Sequence, residues 1–370
     1  MSFGFACFPE DGSDAEKLTH AADVAVYYSK RNGRNRVSWI GEVPASVKLE
    51  FAGLEDKIAP TEEPPTEKDP APPPTAESSD KLPGSTDPGS PPSLEQQIQL
   101  GLERNEFEVY YQPQVSLRDG EIVGVEALVR WRHPERGLVM PGEFVPLAEQ
   151  TRLICQLDLW VLEEACRQVQ IWNLDRPANH PLMLSVNLSA RNLEEERLPE
   201  TIAQALAKTR LNPHWLQLEL TETVFAEISE ANIHLLQRLK ELGLGLAIDD
   251  FGTGFAGMNY LRFFPVDTLK IARSFVQSLD ASPKSKAIVE SIIGLGRNLK
   301  LAIVAEGVED GKEVACLNAW GCKLIQGYYF ARPMPRAEFE ALIKPGLQNS
   351  SNSIPALKKK PIELAQFQVS

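Results

Sequence analysis

Seven apolar runs of this chain each carry, near their C-terminal end, a group that can bind a cation or move a proton. Glu126 follows EIVGV, Asn187 follows LMLSV, Glu219 sits within LQLEL, and Asp249 and Asp250 follow GLAI. Lys270 lies in TLKI, Glu306 follows AIVA and Gln326 follows KLI. A single polar residue is what any strand end shows, but so regular a recurrence is a pattern. Five acids converging on one site would repel each other and hold their protons too tightly. Divalent cations remove that penalty, and an all-oxygen donor set favours Mg²⁺ or Mn²⁺ over zinc. The adjacent acids Asp249 and Asp250 suit a pair of ions, one carboxylate bridging. Two such ions about 3.5–4 Å apart stabilise the attacking and leaving oxygens of an in-line phosphoryl displacement. The residues alone therefore point to metal-assisted hydrolysis of a phosphate ester.

Such a set works only if an architecture brings the strand ends together. Residues 94–345 alternate strand-like and helix-like stretches. An amphipathic helix at 94–104 precedes EVYYQPQVSL and EIVGVEALVRW, and Asp119-Gly120 between them signals a hairpin, so these two strands are expected to be antiparallel. Strands follow at 182–189, 216–222, 244–250, 268–272, 301–308 and 323–330, with helices at 156–173, 195–209, 229–242 and 284–298. This alternation predicts an α/β fold, a TIM-type (β/α)8 barrel with one antiparallel strand, whose C-terminal strand ends form the mouth. A doubly wound open sheet is the alternative.

Outside that region, residues 1–45 read strand, helix, strand. SFGFACF alternates, Ser13 and Glu16 form a capping box, Leu18 to Tyr28 give a helical stripe, and NRVSWI is again strand-like. So small a βαβ fragment cannot bury a useful core alone. Residues 46–93 read as a disordered Pro-rich acidic linker, with eleven prolines from Pro60 to Pro92. Residues 346–370 read as a polar, disordered tail with Lys358 to Lys360 its one charge cluster.

The net charge of −13 argues against a sequence-independent grip on DNA or RNA. No apolar run approaches the ~18 residues that span a bilayer. The start has neither the basic nor the apolar region of a secretory signal. Five cysteines, with no CxxC, read as reduced thiols of a cytoplasmic protein.

The motifs, taken in order, resemble those of the EAL-domain phosphodiesterases. They are YYQPQ (110–114), EALVRW (126–131), SVNLSA (185–190), ELTE (219–222), DDFGTG (249–254), LKI (269–271), AEGVE (305–309) and QGYYF (326–330). The resemblance covers roughly residues 94–345. It implies a TIM-like barrel that hydrolyses cyclic di-GMP to linear pGpG with two Mg²⁺ or Mn²⁺ ions. Carried over by position, Glu126, Asn187, Glu219 and Asp249 would hold one ion, and Asp249, Asp250 and Glu306 the second. Lys270 would orient or activate the attacking water, with Glu306 and Glu126 beside it. Arg130, Gln326 and Gln112 would contact substrate or its water shell. Glu222, Thr253 and Glu309 would anchor the DDFGTG loop, which in the family also shapes a homodimer contact. Residues 3–37 resemble the closing segment of GGDEF (diguanylate cyclase) domains. The GGDEF motif itself is missing, so no cyclase activity is expected, and a truncation, a mis-assigned start or a decayed domain would each account for the fragment.

Four positions depart from the family pattern. Ala272 replaces the acid after LKI, Ala256 and Gly257 replace two serines after DDFGTG, Lys323 replaces Asp after Cys322, and Arg152 stands where Gly is common. Ala272 and the altered loop motivate an alternative, a catalytically weak or inactive cyclic di-GMP receptor acting through a protein partner. Blander readings exist too: a snorkelling surface lysine for Lys270, a turn residue for Asn187, first-turn helix acids for Glu222 and Glu309, and a simple ion pair for Arg130. His133 reads as a loop residue, and Tyr110, Tyr111, Tyr328 and Tyr329 as core or rim.

Overall fold

The structure is a computed structural model that describes residues 3–5, 37–39, 92–226, 229–253, 261 and 264–343. The capping box at Ser13, the stripe from Leu18 to Tyr28, most of the Pro-rich linker, Ala256, Gly257 and the lysine cluster of the tail lie outside the described residues. The chain divides into two compact units, Met1–Ser85 and Thr86–Ser370. In the first, β1 (Phe3–Phe5) pairs in parallel with β2 (Val37–Trp39), as a strand–crossover–strand reading requires.

The second unit is a closed eight-stranded barrel. Its staves are β3 (Phe107–Ser116), β4 (Ile122–His133), β6 (Met183–Asn187), β7 (Leu216–Thr221), β8 (Gly245–Phe251), β9 (Thr268–Ile271), β10 (Ala302–Ala305) and β11 (Leu324–Ile325), closing back onto β3. β3 is antiparallel to both β4 and β11, and every other neighbouring pair of staves is parallel. The reversed strand is thus the first, as the Asp119-Gly120 signal predicts; Gly120 takes the positive φ that the turn demands. Two short strands extend the rim: β5 (Gly137–Val139) on β4 and β12 (Met334–Pro335) on β3. Sequence reading missed both, because two- and three-residue strands have no measurable alternation.

The helices form where local signals put them. Ser93 and Gln96 make a capping box at the start of Leu94–Glu103, and Asp310 and Glu313 make another before Gly311–Ala319. Helix Leu153–Leu174 turns Ile154, Leu157, Val161, Leu162 and Ala165 inward, at the three- and four-residue spacing of one helical face. Its N-cap, Arg152, has φ +62, a left-handed conformation that glycine adopts without strain. The main core lies between the barrel's outer surface and these helices. A second cluster around Ile98, Trp131 and Phe144 closes the rim beside β5.

The last predicted strand was too long. Pairing stops at Ile325, and Gln326 begins a turn in which Gly327 lies against the Val308 backbone. His133 is not a loop residue. It is buried as the final residue of β4, and its Nδ1 accepts from the backbone N–H of Glu135 and Arg136.

Candidate active site

Successive side chains on a strand point to opposite faces, so every second residue enters the barrel. At the mouth those residues are Gln112, Glu126, Asn187, Glu219, Asp249, Lys270, Glu306 and Gln326. Lys270 stands in their midst with no solvent exposure. Its Nζ lies 2.5 Å from Glu219 Oε2, 2.6 Å from Glu306 Oε1, 3.4 Å from Asp249 Oδ1 and 3.5 Å from Glu126 Oε2. It is no snorkelling surface lysine. Asn187 Nδ2 donates to Glu126 Oε1 at 2.7 Å, and Gln326 Nε2 donates to Glu126 Oε2 at 2.5 Å and to Gln112 Oε1 at 2.9 Å.

Electrostatics follow from this crowding. Burial pulls the Lys270 ammonium down, but Asp249, Glu126, Glu219 and Glu306 outweigh it and hold the proton well above the ordinary range. Burial pushes the Glu219 carboxyl up to about 8, against the pull of Lys270. Burial also raises Glu306, and raises Asp250 with help from the neighbouring Asp249 charge. The site is short of positive charge. Glu219 Oε1 and Gln326 Oε1 are buried without a hydrogen-bond partner, an expensive state unless something else satisfies them. Asp249, Asp250 and Glu306 bring ligand oxygens within 4.8 Å of one another. Orphaned oxygens, clustered carboxylates and an all-oxygen donor set fit hard divalent cations.

Asp250 reaches this cluster through an unusual backbone, φ +52, while its N–H donates to Asp249 Oδ1 at 2.9 Å. The following turn is tied down twice. Glu222 Oε2 accepts from Gly252 N at 2.7 Å, and Thr253 Oγ1 donates to the Asp250 carbonyl at 2.8 Å. Glu222 is therefore buried against the turn and not merely a helix-end charge. Glu309 accepts from Arg273 Nη2 and Gln277 Nε2, both at 2.7 Å, and so links the chain after Glu306 to the segment after Lys270. Arg130 is buried, stands over the Tyr110 ring and donates to the Val129 carbonyl. No ion-pair partner is found for it among the described residues. It lines a cavity of about 310 Å³ with Gln112, Glu306, Gln326 and Tyr328. A larger groove of about 960 Å³ runs from Leu128 and Pro141 past Asn187 and Glu219 to Asn232. The two hollows share Leu128 and Pro141, so the mouth can hold an extended ligand across the carboxylates.

Sequence reasoning overlooked a second inner layer. Two residues nearer the floor lie Gln114, Ser185, Gln217 and Thr268. Gln114 Nε2 and Gln217 Nε2 both donate to Ser185 Oγ at 3.3 Å, and Thr268 Oγ1 donates to Gln217 Oε1 at 2.7 Å. Gly124 leaves room for Gln114, whose Oε1 would lie 2.6 Å from an added Cβ. The signal was present: Ser185, Gln217 and Thr268 each stand two places before a site residue. Also overlooked was Asp158, a half-buried acid of its helix that lines the larger groove.

Comparison with known proteins gives one consistent picture. The family model described as EAL domain matches residues 95–333. A Pseudomonas aeruginosa protein named bifunctional diguanylate cyclase/cyclic di-GMP phosphodiesterase MucR is 36% identical over 343 residues, 92% of this chain and 44% of its own length. The cyclic di-GMP phosphodiesterase NbdA of the same organism is 35% identical over 346 residues, 93% of this chain and 38% of its own. The chain thus spans less than half the length of these relatives. A solved structure described as the PaMucR phosphodiesterase in complex with c-di-GMP superposes with a TM-score of 0.63 at 42% identity, covering 66% of this chain and 99% of that one.

Proposed function

The chain belongs to the EAL domain family, and from that premise we propose that it hydrolyses cyclic di-GMP to linear pGpG with two divalent cations, Mg²⁺ or Mn²⁺. The observation that carries this reading is the ring of four carboxylates around the buried Lys270, with orphaned Glu219 Oε1 and Gln326 Oε1 beside it. Glu126, Asn187, Glu219 and Asp249 would hold one ion, and Asp249, Asp250 and Glu306 the other. When bound, the ions supply the positive charge that an in-line phosphoryl displacement develops against. Lys270, held protonated, orients the attacking water and stabilises charge on the phosphoryl oxygens. Arg130, with no carboxylate paired to it among the described residues, contacts a phosphate of the cyclic ligand. Gln326 and Gln112 contact substrate or its water shell, and Gln326, itself bonded to Gln112, also steadies Glu126. By this activity the protein lowers a cytoplasmic second messenger. We assign the work to residues 94–345, with 1–45 a segment resembling the end of a GGDEF domain, 46–93 a linker and 346–370 a tail.

One observation favours a receptor instead. Ala272, immediately after the Lys270 strand, is buried and offers no oxygen where an acid is usual. Incubation with cyclic di-GMP and Mg²⁺ or Mn²⁺ separates the two. pGpG that a Glu126→Ala variant fails to make supports the phosphodiesterase. Tight binding with no pGpG in either metal sinks it and leaves the receptor.

A further inference from the structure

Asn187 is the one neutral member of the proposed ligand set, and it stands at the very end of β6. After it the chain must leave the sheet, and backbone N–H groups there lose their ladder partners. Leu188 N still reaches the Glu219 carbonyl at 2.9 Å. The next donor, Ser189 N, has no strand to pair with and donates to Asp158 Oδ2 at 2.8 Å. The same oxygen accepts from Asn192 Nδ2 at 2.7 Å. Asn192 is 1% exposed and lies within the 3₁₀ turn Ala190–Glu194. One carboxylate oxygen thus grips the turn at both its entrance and its middle.

The position of Asp158 makes this more than a routine cap. It is half-buried on Leu153–Leu174, beside the buried Leu157 and Val161, where a carboxylate loses part of its hydration and needs partners. Burial pushes its carboxyl up to about 7, against the two hydrogen bonds that favour the charged form. It also lines the groove that holds Asn187 and Glu219.

We propose that Asp158 is a positioning residue for the cation site, holding the Ser189–Asn192 turn so that the Asn187 side chain stays beside Glu126. This rests on the two-cation reading above. Asp158 stands outside the proposed ligand set and acts through the turn.

The test is direct Mn²⁺ binding to the full chain, read from the electron paramagnetic resonance of free Mn²⁺, with melting temperatures measured alongside. Asp158→Ala should weaken Mn²⁺ affinity about tenfold or more, as loss of a group that orients a ligand does. Asp158→Asn should restore most of it, because one amide oxygen can accept both bonds. Leu162→Ala, a core change on the same helix face, should lower the melting temperature and leave Mn²⁺ affinity within about twofold. Should Asp158→Ala not fold, Ser189→Pro removes the same N–H at a φ of −68 that proline adopts, and should weaken Mn²⁺ likewise. Wild-type Mn²⁺ affinity in Asp158→Ala, or in Ser189→Pro where that variant stands in, overturns the proposal alone. So does an equal loss in Leu162→Ala. No Mn²⁺ binding by the wild type overturns the two-cation reading and this proposal with it.

Discussion

Lys270 is the residue on which the metal-free site depends. It is the counter-ion of Glu126, Glu219, Asp249 and Glu306 and is wholly buried among them. Breaking a buried ion pair from one side typically costs about 3–5 kcal/mol, since the partner charges stay behind. Lys270→Met should therefore melt well below wild type in EDTA, and the deficit should shrink with Mn²⁺, which replaces the lost charge. Equal deficits in both would show that the ammonium's charge is not what matters. Asp158 gives a second residue-scale expectation. Its folded pKa of about 7 exceeds the unfolded value of roughly 3.9, so the folded state binds the extra proton. That contribution is complete below the unfolded pKa and is lost as pH rises through about 7. In EDTA, the melting temperature of Asp158→Asn minus that of wild type should grow from pH 5 to pH 8. A difference independent of pH would contradict the raised pKa.

At the level of elements, short connections do most of the positioning. Gly327, immediately after Gln326, leaves no room for a side chain: an added Cβ would lie 2.2 Å from the Val308 carbonyl oxygen and 2.3 Å from its nitrogen. Those atoms are backbone and cannot swing aside. Gly327→Ala should cost roughly 1–3 kcal/mol as overpacking does, seen as a lower denaturant midpoint. It should also cut turnover by displacing Gln326 from Glu126; unchanged midpoint and turnover would mean the turn is softer than its contacts imply. The strands were legible because apolar residues alternate with the groups that matter: SVN, LEL, AIDD and LKI declare inner and outer faces together. Asp158 was not, because a helix exposes polar residues on most of its face and one half-buried acid is visible only when its partners are. β11 was overestimated because KLIQGYYF stays apolar and aromatic past Ile325, and only the close passage of Val308 shows why pairing ends there. Gln114 and Gln217 escaped notice for another reason. Polar side chains in a barrel's inner layer look like surface positions until Ser185 and Thr268 are seen to satisfy them.

For the whole molecule, closure of β11 onto β3 leaves no open edge among the eight staves, so the barrel needs no neighbour to complete its hydrogen bonding. A chain limited to residues 86–343 should fold cooperatively and bind Mn²⁺ with the full chain's affinity, measured by calorimetry and paramagnetic resonance. Loss of cooperative melting would mean that residues outside this span complete its core. The reversal of β3 has a practical consequence as well. In an all-parallel barrel, hairpin turns are absent and the floor carries only helix-to-strand loops. Here the Asp119-Gly120 turn joins two staves at the floor, on the side away from Glu126 and Lys270. A surface tether or fluorescent label attached at Asp119 would hold the protein by its base and leave the mouth facing the solution, ready for a biosensor.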